Sequence, residues 1–189
     1  MELQEINSSR EKNHRLLILL IIVSFCHGLC FSQDSSANNQ RNEYWARVGV
    51  GITSARDYFG LGGTAGIQYS SGIGLLGVRY ISADRATVEP ETPGGTRLAE
   101  ISEIDVTWGV SKRVSFLYFS LSSGLGIVWG RKISIIGDEH FTTIGLPIEG
   151  EVTLRLLPVF GIGAMLSSTI NPKKTVINQM IVLQIGKLK

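Results

Sequence analysis

The sequence has little cysteine and little histidine. Its two cysteines, Cys26 and Cys30, lie in the first 32 residues, and of its three histidines only His140 lies beyond them. If that N-terminal stretch is removed, the remaining chain has no thiol, which excludes disulfide bonds and thiolate chemistry. A single histidine without cysteine also argues against a transition-metal site, because such sites rely mainly on these two ligands. We therefore expect no metal and no cofactor.

Long apolar runs and a strong excess of one charge are missing as well. No internal run of 18 apolar residues is present, which excludes a protein that crosses a membrane with helices. The 18 lysines and arginines nearly balance the 16 aspartates and glutamates, for a net charge of +2. Because no basic stripe stands out along the chain, we expect no nucleic-acid partner.

The first 32 residues have the pattern of a secretory signal peptide. Three basic residues precede an apolar run at 16–25, which is too short to cross a bilayer, since that takes about 20 residues. The small residues Cys30 and Ser32 predict cleavage after Ser32. The polar residues 33–43 are predicted to form a flexible periplasmic N-terminal segment, and residues 44–189 a single domain.

Residues 44–189 carry eight segments in which large apolar residues alternate with small or polar ones. In the clearest, 144–155, Ile148 and Val152 share one face, and Glu149 and Glu151 share the other. A period of two indicates a β-strand with two different faces. The predicted strands cover about 44–54, 59–70, 73–82, 98–110, 115–129, 144–155, 159–168 and, last, the segment around 181–186.

The segments between these strands alternate in length. Those at 71–72, 111–113 and 157–158 are short, whereas 83–96 and 130–139 are longer and polar. Bacterial outer-membrane β-barrels show this asymmetry, with short periplasmic turns and longer external loops. The pattern predicts that both termini lie in the periplasm.

Aromatic residues fall near both ends of the predicted strands, as in the interfacial girdles of such barrels. The predicted periplasmic level contains Tyr44, Tyr69, Trp108, Phe116 and Phe160, and the outer level contains Phe59, Tyr80, Trp129 and Phe141.

The segments GVGITSA, FGLGGTAGIQY, GIGLLGVRY and FGIGAMLSS, together with IGLPIEGEVTLRLLP, resemble strands of the OmpA/OmpX-type small outer-membrane barrels. The resemblance covers essentially the whole chain after the leader. It implies an all-β fold: an eight-stranded antiparallel up-and-down transmembrane β-barrel in the outer membrane of a Gram-negative bacterium. It also implies contact with outer-membrane lipid and lipopolysaccharide, and insertion by the outer-membrane assembly machinery. One departure is the C-terminal Gly-Lys-Leu-Lys, where such barrels usually carry an aromatic residue that the machinery recognises.

Seven charged residues lie on the predicted lumen face of the strands. They are Arg47, Arg79, Arg155, Glu103, Asp105, Glu149 and Glu151. An eight-stranded barrel has an interior just wide enough for side chains. Because an isolated buried charge is costly, we expect the three arginines and four carboxylates to form a structural ion-pair network. A proton or ion pathway through the same residues is the alternative.

The absence of a catalytic motif favours a non-enzymatic structural, adhesion or surface-interaction role, with an extracellular ligand bound by the loops. One alternative is a lipid-modifying outer-membrane enzyme acting on the acyl chains of lipid A, with His140 as base beside Asp138, Glu139 and Thr142. Another is a soluble periplasmic lipocalin-like carrier, which would turn its apolar residues inward and its charges outward. The facing of the strands separates this last alternative from the other two.

Overall fold

Eight antiparallel strands make up most of the described part of the chain. The computed structural model describes residues 42–56, 58–71, 73–85, 97–134 and 137–187, so the predicted signal peptide and almost all of segment 33–43 lie outside the described residues. Each strand pairs with the next, and β1 pairs with β8, which closes the sheet into a barrel. The strands are β1 (Glu43–Ala55), β2 (Tyr58–Ser71), β3 (Gly74–Arg85), β4 (Arg97–Val114), β5 (Leu117–Ser134), β6 (Gly137–Leu157), β7 (Phe160–Ile170) and β8 (Val176–Lys187). The predicted all-β, eight-stranded up-and-down barrel is confirmed.

The two ends of the barrel differ. The terminal end carries the start of β1, the end of β8 and the short β2–β3, β4–β5 and β6–β7 turns. The loop end carries the other four connections. No helix in the described part of the chain has the length and apolar character needed to cross a membrane.

The loop predicted at 130–139 is wrong, because most of it is strand. β5 and β6 stay paired from Gly130 opposite Phe141 up to Ser134 opposite Gly137. Oppositely charged residues face each other along this stretch, and such cross-strand pairs stabilise a sheet. Polarity alone suggested a loop, since the charges that support the pairing also make the segment hydrophilic.

The strand faces follow the predicted alternation. Large apolar side chains lie outside, where Val50 is 70% and Ile67 64% exposed, whereas Arg79 and Asp105 on the inside are 0% exposed. A lipocalin-like carrier would need the opposite facing. That alternative is therefore wrong, and the outer surface of the barrel is apolar around a polar interior.

Apolar side chains seal the interior near both ends. The cluster at the loop end consists of Tyr58, Ala83, Leu98, Ile101, Val128 and Val176. Near the terminal end, Trp45 packs on Leu75 and Tyr118, and the Trp45 and Tyr118 rings meet edge to face with centroids 5.1 Å apart. Phe141, predicted at the outer aromatic level, packs against the loop-end cluster instead, because the period of β6 puts it on the inner face with Glu149.

Inward-facing glycines let neighbouring strands approach closely. A Cβ atom added to Gly51 would collide with the carbonyl oxygen of Gln179 and the Cα of Met180. The outward-facing Gly63 has only one heavy atom near its Cβ position, the Gly49 carbonyl oxygen at 3.7 Å. A backbone obstacle cannot move aside as a side chain can, so the two positions should respond differently to a methyl group.

We expect Gly51→Ala to lower the free energy of unfolding by about 1–3 kcal/mol, the usual cost of overpacking. Gly63→Ala is the matched control and should change it by less than about 0.5 kcal/mol. Urea midpoints, read from the fraction of folded band on unheated gels, would check both. Equal midpoints for the two variants would contradict the close approach at Gly51.

Candidate functional site

Six of the seven predicted lumen charges meet in the interior of the barrel. Arg47 comes from β1, Arg79 from β3, Glu103 and Asp105 from β4, and Glu149 and Glu151 from β6. Each pair of carboxylates stands two residues apart on its strand, which puts both members on the inner face. All six residues are at most 2% exposed. We call this group the lumen cluster.

Glu149 joins the two arginines of the lumen cluster. Arg47 donates from Nη1 to Oε1 of Glu149 at 2.5 Å and from Nη2 to Oε2 at 2.8 Å. Arg79 donates from Nη1 to the same Oε2 at 2.6 Å. Gln68 adds a longer contact of 3.4 Å to Oε1. One carboxylate thereby connects β1 with β3 through the interior, although those strands are not neighbours.

Each arginine also has a second set of acceptors. Arg79 donates from Nε to Oδ2 of Asp105 at 3.0 Å and from Nη2 to Oε1 of Glu103 at 3.0 Å, with a further contact from Nη2 to Asp105. Arg47 donates from Nη1 to Oε2 of Glu151 at 2.6 Å. Charged groups on both sides of these bonds make them stronger than neutral hydrogen bonds.

Neutral polar side chains, which the charge-based prediction missed, complete the surroundings of the carboxylates. Glu151 accepts from Thr153 Oγ1 at 2.9 Å and from the amide of Gln184. Asn178 donates to Glu103 at 3.3 Å and accepts from Thr53 at 2.8 Å. The sequence could have predicted these residues from the period-two alternation, because each lies an even number of positions from the buried residues of its strand and therefore faces inward.

Arg155 is not brought into the lumen cluster. It lies four residues beyond Glu151 on β6, about 13 Å along the strand, and is partly exposed near the terminal end. There it lines a small pocket with Glu43, Arg113 and Tyr118. Arg155 has the parity of the buried residues of β6, but its position near the terminal end keeps it away from the other charges.

His140, the candidate base of the enzyme alternative, lies on the exposed outer side of β6 and pairs across the ladder with Arg131. Asp138 and Glu139 contact Arg131 and Lys132 at 3.3 Å and 3.6 Å. Within the described residues, no group of three or more histidine, cysteine, aspartate or glutamate side chains could hold a metal ion.

The lumen cluster is arranged to cross-link strands. Its carboxylates are enclosed by arginines, amides and hydroxyls, and they are out of reach of a substrate in solution because the residues are buried. Two guanidinium groups and four carboxylates occupy space that a wider barrel would leave to water. The geometry therefore supports a filled lumen.

No family model and no curated protein matches the sequence. Among solved structures, the chain is similar to Neisserial surface protein A, with 11% identity over 76% of this chain and 96% of that chain and a TM-score of 0.59. It is similar to Ail, the attachment invasion locus protein of Yersinia pestis (14% identity, 78% and 99% coverage, TM-score 0.54). It is also similar to the N-terminal β-barrel domain of Pseudomonas aeruginosa OprF (10%, 77% and 99%, TM-score 0.52). The chain has the fold of the small eight-stranded outer-membrane β-barrels.

In this outer-membrane barrel fold, loss of a lumen arginine should be far more damaging than loss of a surface arginine. We expect Arg79→Met to lower the free energy of unfolding by about 3–5 kcal/mol, because it leaves Glu103 and Asp105 buried without their cation. Arg131→Met, which removes an exposed ion pair with Asp138, should cost about 0–1 kcal/mol.

Urea unfolding in detergent micelles measures both changes. Adding Asp105→Asn to Arg79→Met should recover part of the loss, because the coupled residues are not additive. Equal midpoints for Arg79→Met and Arg131→Met would contradict the ion-pair account.

Proposed function

We propose that this protein is an integral β-barrel of the outer membrane of a Gram-negative bacterium, with a non-enzymatic adhesion or surface-interaction role. The observation that carries the proposal is the facing of the strands: an apolar exterior encloses a polar, filled interior. In water such an exterior would drive aggregation, whereas in lipid it is the favourable arrangement.

The size of the apolar exterior supports a bilayer as its environment. On β6, the outward side chains are apolar at Ile144, Leu146 and Ile148 and again at Val152 and Leu154. Ten residues at about 3.3 Å each, tilted by about 40°, span about 25 Å. This equals the height of the apolar band on outer-membrane barrels, which is about 25 Å.

The filled lumen argues against a transport role. The lumen cluster occupies the middle of the barrel, and apolar clusters lie near both ends. Conduction of solutes larger than ions or water needs a wider barrel. The role of the protein is therefore assigned to its outer surfaces.

Strands β4, β5 and β6 provide a surface for interaction at the loop end. β7 pairs with β6 only as far as Leu146, so no described strand covers the other edge of residues 137–145. This edge is about 30 Å of strand, and its free backbone groups could pair with an extended peptide. Two of the similar proteins carry related names: one is called a surface protein, and Ail is an attachment invasion protein solved with the heparin analogue sucrose octasulfate.

Membrane fractionation of the expressed protein tests the location. We expect recovery in the outer membrane and a band that shifts on boiling, because folded barrels migrate differently from unfolded chains. A soluble periplasmic protein without a mobility shift would overturn the proposal.

Shortening the projecting hairpin tests the adhesion role. Residues 132–139 would be replaced by Asn-Gly, a two-residue hairpin turn that joins the paired residues Arg131 and His140. We expect expression of the intact protein to raise adherence of bacteria to cultured epithelial cells, and the shortened protein to return it to the vector level. The shortened protein should keep its boiling-dependent shift, which shows that its barrel is intact. If the intact protein does not raise adherence, the adhesion role is contradicted. If the shortened protein gives full adherence, the hairpin is not the part of the protein that adheres.

The enzyme alternative makes a separate prediction about lipid A. We expect lipid A from bacteria that express the protein to have the same mass spectrum as lipid A from the empty strain, because Asp138 and Glu139, the acids beside His140, contact Arg131 and Lys132. A change in acyl composition that disappears with His140→Ala would overturn the non-enzymatic assignment.

A further inference from the structure

The turns at the terminal end have unusual tips. Six large apolar side chains there are more than half exposed: Ile73, Val114, Phe116, Leu156, Leu157 and Val159. Turns in water are normally polar, with glycine, asparagine, aspartate or serine at their tips. Among the described residues of the loop-end connections, Arg56 and Lys173 are exposed and charged. Exposed large apolar side chains therefore continue past the strands at the terminal end.

The β6 strand gives a measure of this extension. Its outward apolar positions run from Ile144 to Leu156, and Leu157 follows at the turn. Twelve residues at about 3.3 Å each and a tilt of about 40° span about 30 Å. The apolar band of such barrels is about 25 Å tall. If Ile144 lies at one margin of the hydrocarbon, the tip at Leu157 reaches the headgroup layer of the opposite leaflet.

Basic residues accompany the apolar tips. We define the terminal rim as residues 43–44, 70–71, 73–75, 111–117, 155–160 and 186–187. Its described side chains include four cations, Lys112, Arg113, Arg155 and Lys187, against one carboxylate, Glu43. Arg113 is anchored by a bond from Nε to the carbonyl of Ser115 at 3.1 Å, in the same turn as Phe116. The terminal rim therefore carries both exposed apolar side chains and an excess of cations.

We propose that the terminal rim is seated in the membrane interface and binds the phosphate headgroups of anionic phospholipids through Lys112, Arg113 and Lys187. This inference rests on the proposed membrane location. Apolar side chains favour the boundary of the hydrocarbon, and a basic residue near an anionic surface is attracted to it. The tips occur on all three turns of this end, and the cations on two of those turns and on the end of β8. Because these side chains are spread around the whole terminal end, they fit a planar lipid surface better than a protein that docks on one side of it.

The charge test compares two triple variants in two kinds of vesicle. The terminal variant carries Lys112→Gln, Arg113→Gln and Lys187→Gln. The loop-end control carries Arg56→Gln, Arg85→Gln and Lys173→Gln, an equal loss of charge at the other end. Unfolding by urea is followed by the boiling-sensitive band in phosphatidylcholine vesicles and in vesicles that also contain phosphatidylglycerol.

We expect phosphatidylglycerol to lower the unfolding equilibrium constant of the intact protein and of the loop-end control. In the terminal variant, the decrease in the unfolding equilibrium constant caused by phosphatidylglycerol should be smaller by about fivefold for each cation removed, as expected for about 1 kcal/mol each. High salt should weaken the effect in the intact protein. An intact protein that is insensitive to phosphatidylglycerol, or an equal loss in the control, would overturn the inference. Failure to enter phosphatidylcholine vesicles at all would instead contradict the proposed membrane location.

The depth of the turn tips separates a lipid surface from a soluble protein partner. In a background with Cys26→Ser and Cys30→Ser, a fluorescent label would be attached at Leu157→Cys or, as control, at Lys173→Cys. We expect a quencher carried on lipid to dim the label at position 157 and aqueous iodide to dim the label at position 173. Strong quenching of position 157 by iodide would place the tip in water and overturn the inference.

Discussion

The pairing of Glu149 with two arginines is the interaction on which the interior of this barrel depends. A closed sheet holds each strand to its neighbours, and its strand number and stagger set the width of the lumen. The ladders do not determine how the lumen is filled. Glu149 accepts from Arg47 on β1 and from Arg79 on β3, which joins strands that share no ladder. Because a buried charge without a partner is very costly, the pairing allows little freedom in how these strands sit.

The usual arrangement of a water-soluble core is inverted around this cluster. Hydrophobic side chains such as Val50 and Ile67 lie outside, and inside the barrel two arginines pair with four carboxylates. Closure satisfies the backbone groups of the wall, which a lipid environment requires. Small inward residues such as Gly51 let neighbouring strands approach closely. The ion pairs, the inward glycines and the closure of the sheet therefore act together to hold a polar interior inside an apolar wall.

The two ends of the barrel differ in the surface that they present. At the loop end, opposite charges on β5 and β6 extend a hairpin beyond the wall, where its polar surface suits water. At the terminal end, the turns are short and apolar, and cations stand beside them. The same chain thus presents a hydrated surface on one side and an amphipathic rim on the other, and this polarity underlies both functional proposals.

The period of two in the sequence determined the strands, their faces and the inward position of Arg47, Arg79 and the four carboxylates, because side chains on a strand alternate whatever the tertiary structure. It could not determine which of these residues meet. Partners depend on the stagger between strands and the level each residue reaches in the lumen. Arg155 has the parity of the buried residues but lies too near the terminal end. Residues 130–139 look like a loop in the sequence, and cross-strand pairing makes most of them part of a hairpin. Closure of the barrel decided the contacts in the lumen, since it brings together residues such as Arg47 and Glu151, which are 104 positions apart.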